Sequence, residues 1–279
     1  MNSYLRDRKT ANNEFADPQK NISFVKRRVA GKGGTHVHEF FELEFILEGE
    51  GEQNLNGSVY KLKAGSFYLL TPIDFHSIDS EDGITLANIS FRASAISEER
   101  QMQFINRRHN LFCNLTGAKK TETETIINMF GKEFSEGDDY SLDMQNHLLE
   151  ILFTFLTRNT SSEKPIVTDG IQKSLQYIFR HFRDEISLEK VAEIGGYSPN
   201  YFSSLFHREM GKCLSDFIND LRIRYAKLLL VNTDLSVTEI CEKSGYKSIS
   251  NFLRVFSAEG ITPKEYRNNS KIANSNKKL

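Results

Sequence analysis

Apolar and polar residues alternate with a period of two through much of residues 24–91, and the run is rich in aromatic and β-branched side chains broken by Gly and Asn. Phe41, Leu43, Phe45 and Leu47 alternate with Glu42, Glu44, Ile46 and Glu48, after which Gly49-Glu50-Gly51 turns the chain. A period of two is that of a strand. Leu55-Asn56-Gly57-Ser58-Val59 predicts a tight hairpin, because Asn-Gly suits the two positive-φ positions of a type I′ turn. Val59 to Leu62, Phe67 to Leu70 and Ile84 to Ser90 add further short strands. Short strands spaced roughly 8 to 12 residues apart predict a small antiparallel barrel or jelly roll.

From residue 97 to 160 the period becomes helical. Met144, Leu148, Ile151, Leu152 and Phe155 recur at i, i+4, i+7, i+8 and i+11, and Leu149, Phe153 and Leu156 widen the stripe. Phe112, Leu115, Ile126, Ile127 and Phe130 are expected on the preceding helices, and His147 falls on the polar margin. A stripe this wide either buries wholly against the barrel or also meets a second subunit. Residues 159–168, NTSSEKPIVT, are polar and contain Pro165, so they read as a linker. Ile171, Leu175, Ile178 and Phe182 then trace another helix.

The last third is written twice. Val191, Ala192, Gly196, Tyr197, Phe202, Leu205, Phe206, Gly211 and Phe217 are echoed by Ile240, Cys241, Gly245, Tyr246, Phe252, Val255, Phe256, Gly260 and Tyr266, with one residue inserted in the second turn. Two helices crossing steeply need a small residue where they approach, the place of Ala192 and Cys241. The turn after it needs a residue tolerant of positive φ, the place of Gly196 and Gly245. Ser198 can cap the next helix and Pro199 suits its first turn, while Phe202, Leu205 and Phe206 bury one face.

The expected architecture is α+β with two domains: an antiparallel cupin-like β-barrel with appended helices, then an all-α domain with two helix-turn-helix motifs joined by a linking helix. The segments are a polar arm (1–21), the barrel (22–96), a helical dimerisation region (97–158), the linker (159–168), the helix-turn-helix domain (169–268) and a polar tail (269–279).

Residues 170–267 resemble the DNA-binding domain of the AraC/XylS family of transcription regulators. The resemblance is carried by Ile186-Ser187-Leu188, Gly196-Tyr197-Ser198-Pro199-Asn200-Tyr201-Phe202, Leu221-Arg222 with Ala226 and Leu229, Gly245-Tyr246, Phe252, Phe256, Gly260, Thr262-Pro263 and Tyr266-Arg267. The barrel and helical region resemble the effector-binding and dimerisation half common in that family. The resemblance implies sequence-specific binding of double-stranded DNA by a homodimer under a small-molecule effector, such as a sugar or related metabolite, with RNA polymerase as a further partner. A linking helix of eighteen residues, Leu214 to Val231, would be a rod of about 27 Å, comparable with the roughly 34 Å repeat of B-DNA. The expected DNA-facing residues are Ser198, Asn200, Tyr201, Ser203, Ser204, His207 and Arg208 from the first motif, and Lys247, Ser248, Ile249, Ser250, Asn251 and Arg254 from the second. Arg254 is the candidate for reading guanine, with a phosphate contact as its alternative, and Arg222, next to Leu221, is expected to be structural.

Within the barrel, His36-Val37-His38 with Glu42, Gly49, Gly65, Pro72 and His76 is similar to the two motifs of a cupin. His36, His38, Glu42 and His76 are the candidate ligand-binding residues. In metal-binding cupins the matching residues hold a transition metal, and two His at alternate strand positions do share a face. The glycine before the first His is displaced, the second motif is short and its Asn is absent, so the expectation is no metal and no cofactor, leaving an effector pocket or a structural barrel.

Composition changes little: 39% hydrophobic and 26% charged is ordinary for a folded chain, and no run approaches the roughly 20 apolar residues of a membrane span. A cytoplasmic protein with no membrane partner is expected. Cys113, Cys213 and Cys241 lack the spacing of a disulfide framework or zinc site and are expected to be buried. The net charge of −1 conceals an asymmetry, since residues 166–279 carry 17 Lys and Arg against 13 Asp and Glu, which suits phosphate contact by that part alone. The resemblance to the AraC/XylS family implies a transcription regulator, not an enzyme, as the expected function. The alternatives are a metal-dependent cupin enzyme fused to a DNA-binding domain and a constitutive DNA binder without effector.

Overall fold

The computed structural model describes residues 8–9, 21–107, 109–160, 170–258 and 260–275. The expected polar arm and linker fall almost wholly outside these residues, as does the end of the expected tail. The chain divides into two compact units, Tyr4–Ile96 with Arg107–Thr168, and Ser97–Asn106 with Asp169–Leu279.

The first unit is a nearly closed barrel formed by one sheet. Its strands are β1 (Arg8–Lys9), β2 (Ile22–Lys32), β3 (His36–His38), β4 (Phe41–Glu48), β5 (Gly51–Leu55), β6 (Ser58–Leu62), β7 (Ser66–Leu70), β8 (Phe75–Phe91) and β9 (Leu111–Asn114). All described pairs are antiparallel except β1 with β3. The expected hairpin joins β5 and β6 through Asn56 (φ 54°) and Gly57 (φ 77°), the two left-handed positions a type I′ turn demands.

β8 organises the barrel. It runs unbroken for 17 residues and pairs with β2, β3, β4 and β5. The sequence shows only its second half as a strand, because Ser80-Glu81-Asp82-Gly83 has turn composition. Backbone pairing carries the strand through it, with register shifts opposite at Val29/Gly31 and Ile46/Glu48.

Strand parity decides what the barrel encloses. Glu42 lies opposite Ser90 and Leu70, Glu44 opposite Asn88 and Tyr68, and Ile46 opposite Leu86. Residues directly opposite share a face, and Ile46, Tyr68, Leu70 and Leu86 belong to a cluster with Leu55, Tyr60, Leu62, Ile78, Ile84 and Phe112. The other parity, Phe41, Leu43 and Phe45, is buried as well, and helices α2 (Gly117–Ser135) and α3 (Ser141–Asn159) reach the barrel through aromatic contacts. Phe41 stacks on Phe91, whose ring centroid is 5.4 Å from that of Phe153, and Phe24 meets Phe130 at 5.9 Å.

Three expectations need correction. Phe112 lies on β9, not a helix: the four-residue run Leu111–Asn114 completes the edge of β7, and Phe112 stacks on Tyr60 and Tyr68. So short an apolar run carries no readable period. Helix α1 (Glu98–Ile105), expected in the dimerisation region, belongs to the second unit. There the Asn106 side chain that follows it accepts a 2.9 Å bond from the Tyr225 hydroxyl. Cys213 is exposed, whereas Cys113 and Cys241 are buried.

The second unit continues with α4 (Gly170–His181), α5 (Leu188–Gly195), α6 (Pro199–Met210), α7 (Leu214–Asn232), α8 (Val237–Lys243), α9 (Ile249–Ser257) and α10 (Pro263–Ser275). The two copies match in detail. Ser187 and Ser236 cap α5 and α8 through their hydroxyls, and Ser236 forms a full capping box with Glu239. Aromatic ladders repeat as Tyr197–Phe202–Phe206–Phe217 and Tyr246–Phe252–Phe256–Tyr266, with centroids 5.3–6.3 Å apart.

The turns differ. Gly196 (φ 75°) has open space where a side chain would grow. Gly245 (φ 88°) lies so close to Arg183 that a Cβ would stand 2.6 Å from its carbonyl oxygen, so positive φ and close approach both require glycine there. Ser198 stands at the N-cap of α6 without a side-chain capping bond, while Ser248 accepts one from Asn251 N–H. As expected for Arg222, its guanidinium is spent on structure: it donates to the Phe182 and Asp184 carbonyls at 2.6 and 2.8 Å and covers the Tyr246 ring.

Candidate ligand pocket and nucleic-acid interface

The parity of β4 puts two carboxylates inside the barrel. Glu42 and Glu44 are both 0% exposed. The Asn88 amide bridges them, donating to Glu42 Oε1 at 3.1 Å and Glu44 Oε1 at 3.0 Å, and Ser90 donates to Asn88 Oδ1 at 2.8 Å. Arg27 reaches Glu44 at 3.3 Å. Burial, reinforced by the Glu42 charge, raises the Glu44 carboxyl above the ordinary carboxylate range despite Arg27. Burial and then the Glu44 charge push the Tyr68 phenol up.

The four candidate ligand-binding residues converge beside this cluster. β3 presents His36 and His38 on one face, and His36 lies directly opposite His76 of β8. His38 Nε2 is 2.6 Å from His76 Nε2 and 3.2 Å from Glu42 Oε2, and His76 Nε2 is 3.9 Å from the same oxygen. Gln53 of β5 touches His76 Nδ1 at 3.0 Å, and His36 Nδ1 donates to the Gly34 carbonyl at 2.9 Å. Sequence reasoning missed Glu44, Gln53, Tyr68, Asn88, Ser90 and Arg27. Glu44 could have been found from Glu42 by the two-residue period; the others depend on cross-strand pairing.

The turn that delivers His76 is itself pinned. Asp74 Oδ2 accepts from the Thr71 N–H at 2.6 Å and the Thr71 hydroxyl at 2.8 Å, Oδ1 accepts from Asn56 Nδ2 at 2.7 Å, and Arg107 donates to both oxygens at 2.6 Å.

In the helical unit, Phe202, Leu205, Phe206 and Met210 bury one side of α6, and Phe252 and Phe256 one side of α9. The opposite faces are open. Ser198, Asn200, Tyr201, Ser203, Ser204, His207 and Arg208, and likewise Lys247, Ser248, Ile249, Ser250, Asn251 and Arg254, are all exposed. Several carry local partners: the Ser204 hydroxyl donates back to the Asn200 carbonyl at 3.2 Å, Arg208 pairs with Glu209, and Lys247, the residue inserted in the second turn, pairs with Glu185 at 2.8 Å. Arg254 donates to Asn251 Oδ1 at 2.9 Å, which holds its guanidinium along the outer face. No helix among the described residues is long and apolar enough to cross a membrane.

Residues 30–152 match the family model of the AraC-like ligand binding domain, and residues 191–269 match that of a helix-turn-helix domain. Over 127 residues the chain is 35% identical to the uncharacterized HTH-type transcriptional regulator YtdP of Bacillus subtilis, a stretch that is 45% of this chain and 16% of that protein. It therefore spans less than a fifth of that relative's length. Over 256 residues it is 28% identical to the uncharacterized HTH-type transcriptional regulator YfiF of the same organism, covering 83% of this chain and 78% of that one. A solved structure of a protein from Listeria innocua is 37% identical over 35% of this chain and 94% of its own, with a TM-score of 0.34. With one model matched across the barrel and its helices, another across the paired helix-turn-helix motifs, and relatives that are HTH-type transcriptional regulators, the chain belongs to the AraC/XylS family of DNA-binding transcription regulators with a ligand-binding domain.

Proposed function

We propose that α6 and α9 read two successive stretches of one DNA site, and that a small polyhydroxylated molecule inside the barrel, a sugar or related metabolite, changes the affinity for that site. The observation that carries the DNA reading is the division of each helix into a buried aromatic face and an open polar one. Asn200, Ser203 and Ser204 take base-facing places on α6, with His207 and Arg208 toward phosphate. Short hydroxyls discriminate bases modestly, so sequence preference rests more on α9. The pairs Arg208–Glu209 and Lys247–Glu185 are exposed surface pairs, worth little in water, and a phosphate displaces the carboxylate readily.

Arg254→Ala is expected to weaken the cognate site by about 1–3 kcal/mol, roughly 5- to 150-fold, with little effect on random DNA. Fluorescence anisotropy on a site selected from a random library, at matched salt, measures it. Equal loss on both DNAs would assign Arg254 to the backbone.

The effector reading rests on the barrel interior, where Glu42, Glu44, Gln53, Asn88, Ser90 and Tyr68 offer donors and acceptors suited to hydroxyl groups and disfavour an anion. Titrating neutral sugars and their acid counterparts against operator affinity should reveal a 5- to 150-fold coupling, the range typical of linked sites, for a neutral compound. Unchanged affinity with every compound would leave a constitutive DNA binder. Tyr140, Leu142, Met144 and Ile151 are exposed on or beside α3, which supports self-association through that face. The named relatives are transcriptional regulators, and we propose no catalytic role.

A further inference from the structure

We propose that α4 and the loop after it, residues 182–185, fix the spacing and rotation between α6 and α9, and so decide, together with α7, which separation of two DNA stretches the protein accepts. The proposal rests on both helices reading one site, and it adds the residues that position the second helix against the first.

Backbone contact at both ends of α4 is the first argument. At its start, a Cβ on Gly170 would overlap the carbonyl oxygen of Gly195 in the first motif, and one on Gly195 would stand 2.6 Å from Ser174 Oγ. The buried Ser174 hydroxyl donates to the Val191 carbonyl of the same motif at 2.9 Å. Just past the end of α4, Gly245 of the second motif lies against Arg183, where a Cβ would stand 2.6 Å from the carbonyl oxygen and 2.8 Å from Cα. Backbone resting on backbone leaves no flexible side chain between to yield. The twelve residues of α4 are therefore a rod of about 18 Å with one motif seated at each end.

The second argument is how firmly the loop is held. Arg222 of α7 donates to the Phe182 and Asp184 carbonyls at 2.6 and 2.8 Å, and its guanidinium lies 5.6 Å from the centroid of Tyr246 in the second motif. Arg183 donates to the Tyr225 hydroxyl of α7 at 3.1 Å and covers that ring at 5.1 Å, while Phe182 meets the ring edge-on at 5.8 Å. The same hydroxyl donates to Asn106 Oδ1 at 2.9 Å. One short loop thus ties α4, α7 and the turn before α9 together. Its contacts lie outside the Phe202–Phe206 and Phe252–Phe256 ring pairs that build each motif, so the joint can be loosened with both motifs intact.

A rigid joint has a signature in DNA. One base pair inserted between two stretches moves the second by about 3.4 Å and turns it by about 34°. A protein that cannot follow that turn forfeits base contacts of its second helix.

The test uses the full chain and a site selected from a random library, with one base pair added or removed between the two stretches, followed by fluorescence anisotropy at matched salt. The wild-type protein should lose about 5- to 150-fold on either altered duplex, the worth of one bidentate base contact. In Arg183→Met and Arg222→Met the penalty should shrink to less than about threefold, and a short duplex carrying only the second stretch should bind as it does to wild type. Thermal unfolding shows that the variants are folded at the assay temperature. If they are not, Tyr225→Phe, which removes one hydroxyl and keeps the ring, takes their place with the same expectation. Folded variants as strict about spacing as wild type overturn the proposal and leave the two-helix reading standing. Weakened binding of the short duplex also overturns it, by placing the damage in the second motif itself. A wild-type protein indifferent to spacing overturns the reading of two stretches, and this proposal with it.

Discussion

Phe202→Ala is expected to lower the unfolding free energy of the helix-turn-helix unit by about 3–5 kcal/mol, the usual loss for truncating a phenylalanine in a closed core. Phe202 is fully buried and is the rung between Tyr197 and Phe206, so its removal leaves a cavity between two rings of the ladder. Against a typical total of about 5–15 kcal/mol this is a large fraction. The outward face of α6 is untouched by the change, so DNA affinity measured well below the transition should fall only as the folded fraction falls. Urea unfolding followed by tyrosine fluorescence gives the first quantity. A loss under about 1.5 kcal/mol, the range of a tolerated volume-conserving swap, would show that the ladder repacks. Phe252, at the equivalent place in the second copy and equally buried, should respond alike.

Asp74→Ala should destabilise the barrel unit by a similar amount, about 3–5 kcal/mol, because it leaves the Arg107 guanidinium at a site prepared for a carboxylate. The pair is 6% and 1% exposed, and the same carboxylate gathers the Thr71 backbone, the Thr71 hydroxyl and the Asn56 amide. Removing it frees the turn two residues before His76, so the histidine cluster should loosen as well. The double variant Asp74→Asn with Arg107→Met retains no buried charge and should lie much closer to wild type than Asp74→Ala. Thermal unfolding of the three proteins, with hydrogen exchange at Phe75 and His76 to localise the change, measures this. A double variant no more stable than Asp74→Ala would place the effect in the turn's hydrogen bonds rather than in the ion pair.

Much of the helical unit is legible in the sequence because its determinants are local. Ser187, Ser236, Gly196 and Gly245 act within one turn of where they stand, and Phe202, Leu205 and Phe206 report a face through spacing alone. The open faces of α6 and α9 follow from the same spacing. What spacing does not carry is the company those faces keep: Glu185, 62 residues from Lys247, takes its ammonium, and Asn251 takes Arg254.

The barrel is legible as strands but not as a container. Period two shows that Glu42 and Glu44 share a face with Ile46, and Asn-Gly shows the hairpin, since both signals lie within a few residues. Parity has no sign, however. The side that faces inward is settled only by the packing around the sheet, where Phe91, stacked on Phe41, meets Phe153 of α3; both sides of β4 are buried and the polar one lines the interior. The same holds for the site. The sequence alone determined that His36, His38, Glu42 and His76 were available and that two helix-turn-helix motifs followed. Only the tertiary structure brought His38 to His76 and added Gln53 and Asn88, because hydrogen bonding between distant strands, unlike a turn or a helix cap, depends on a register that no local stretch of sequence contains.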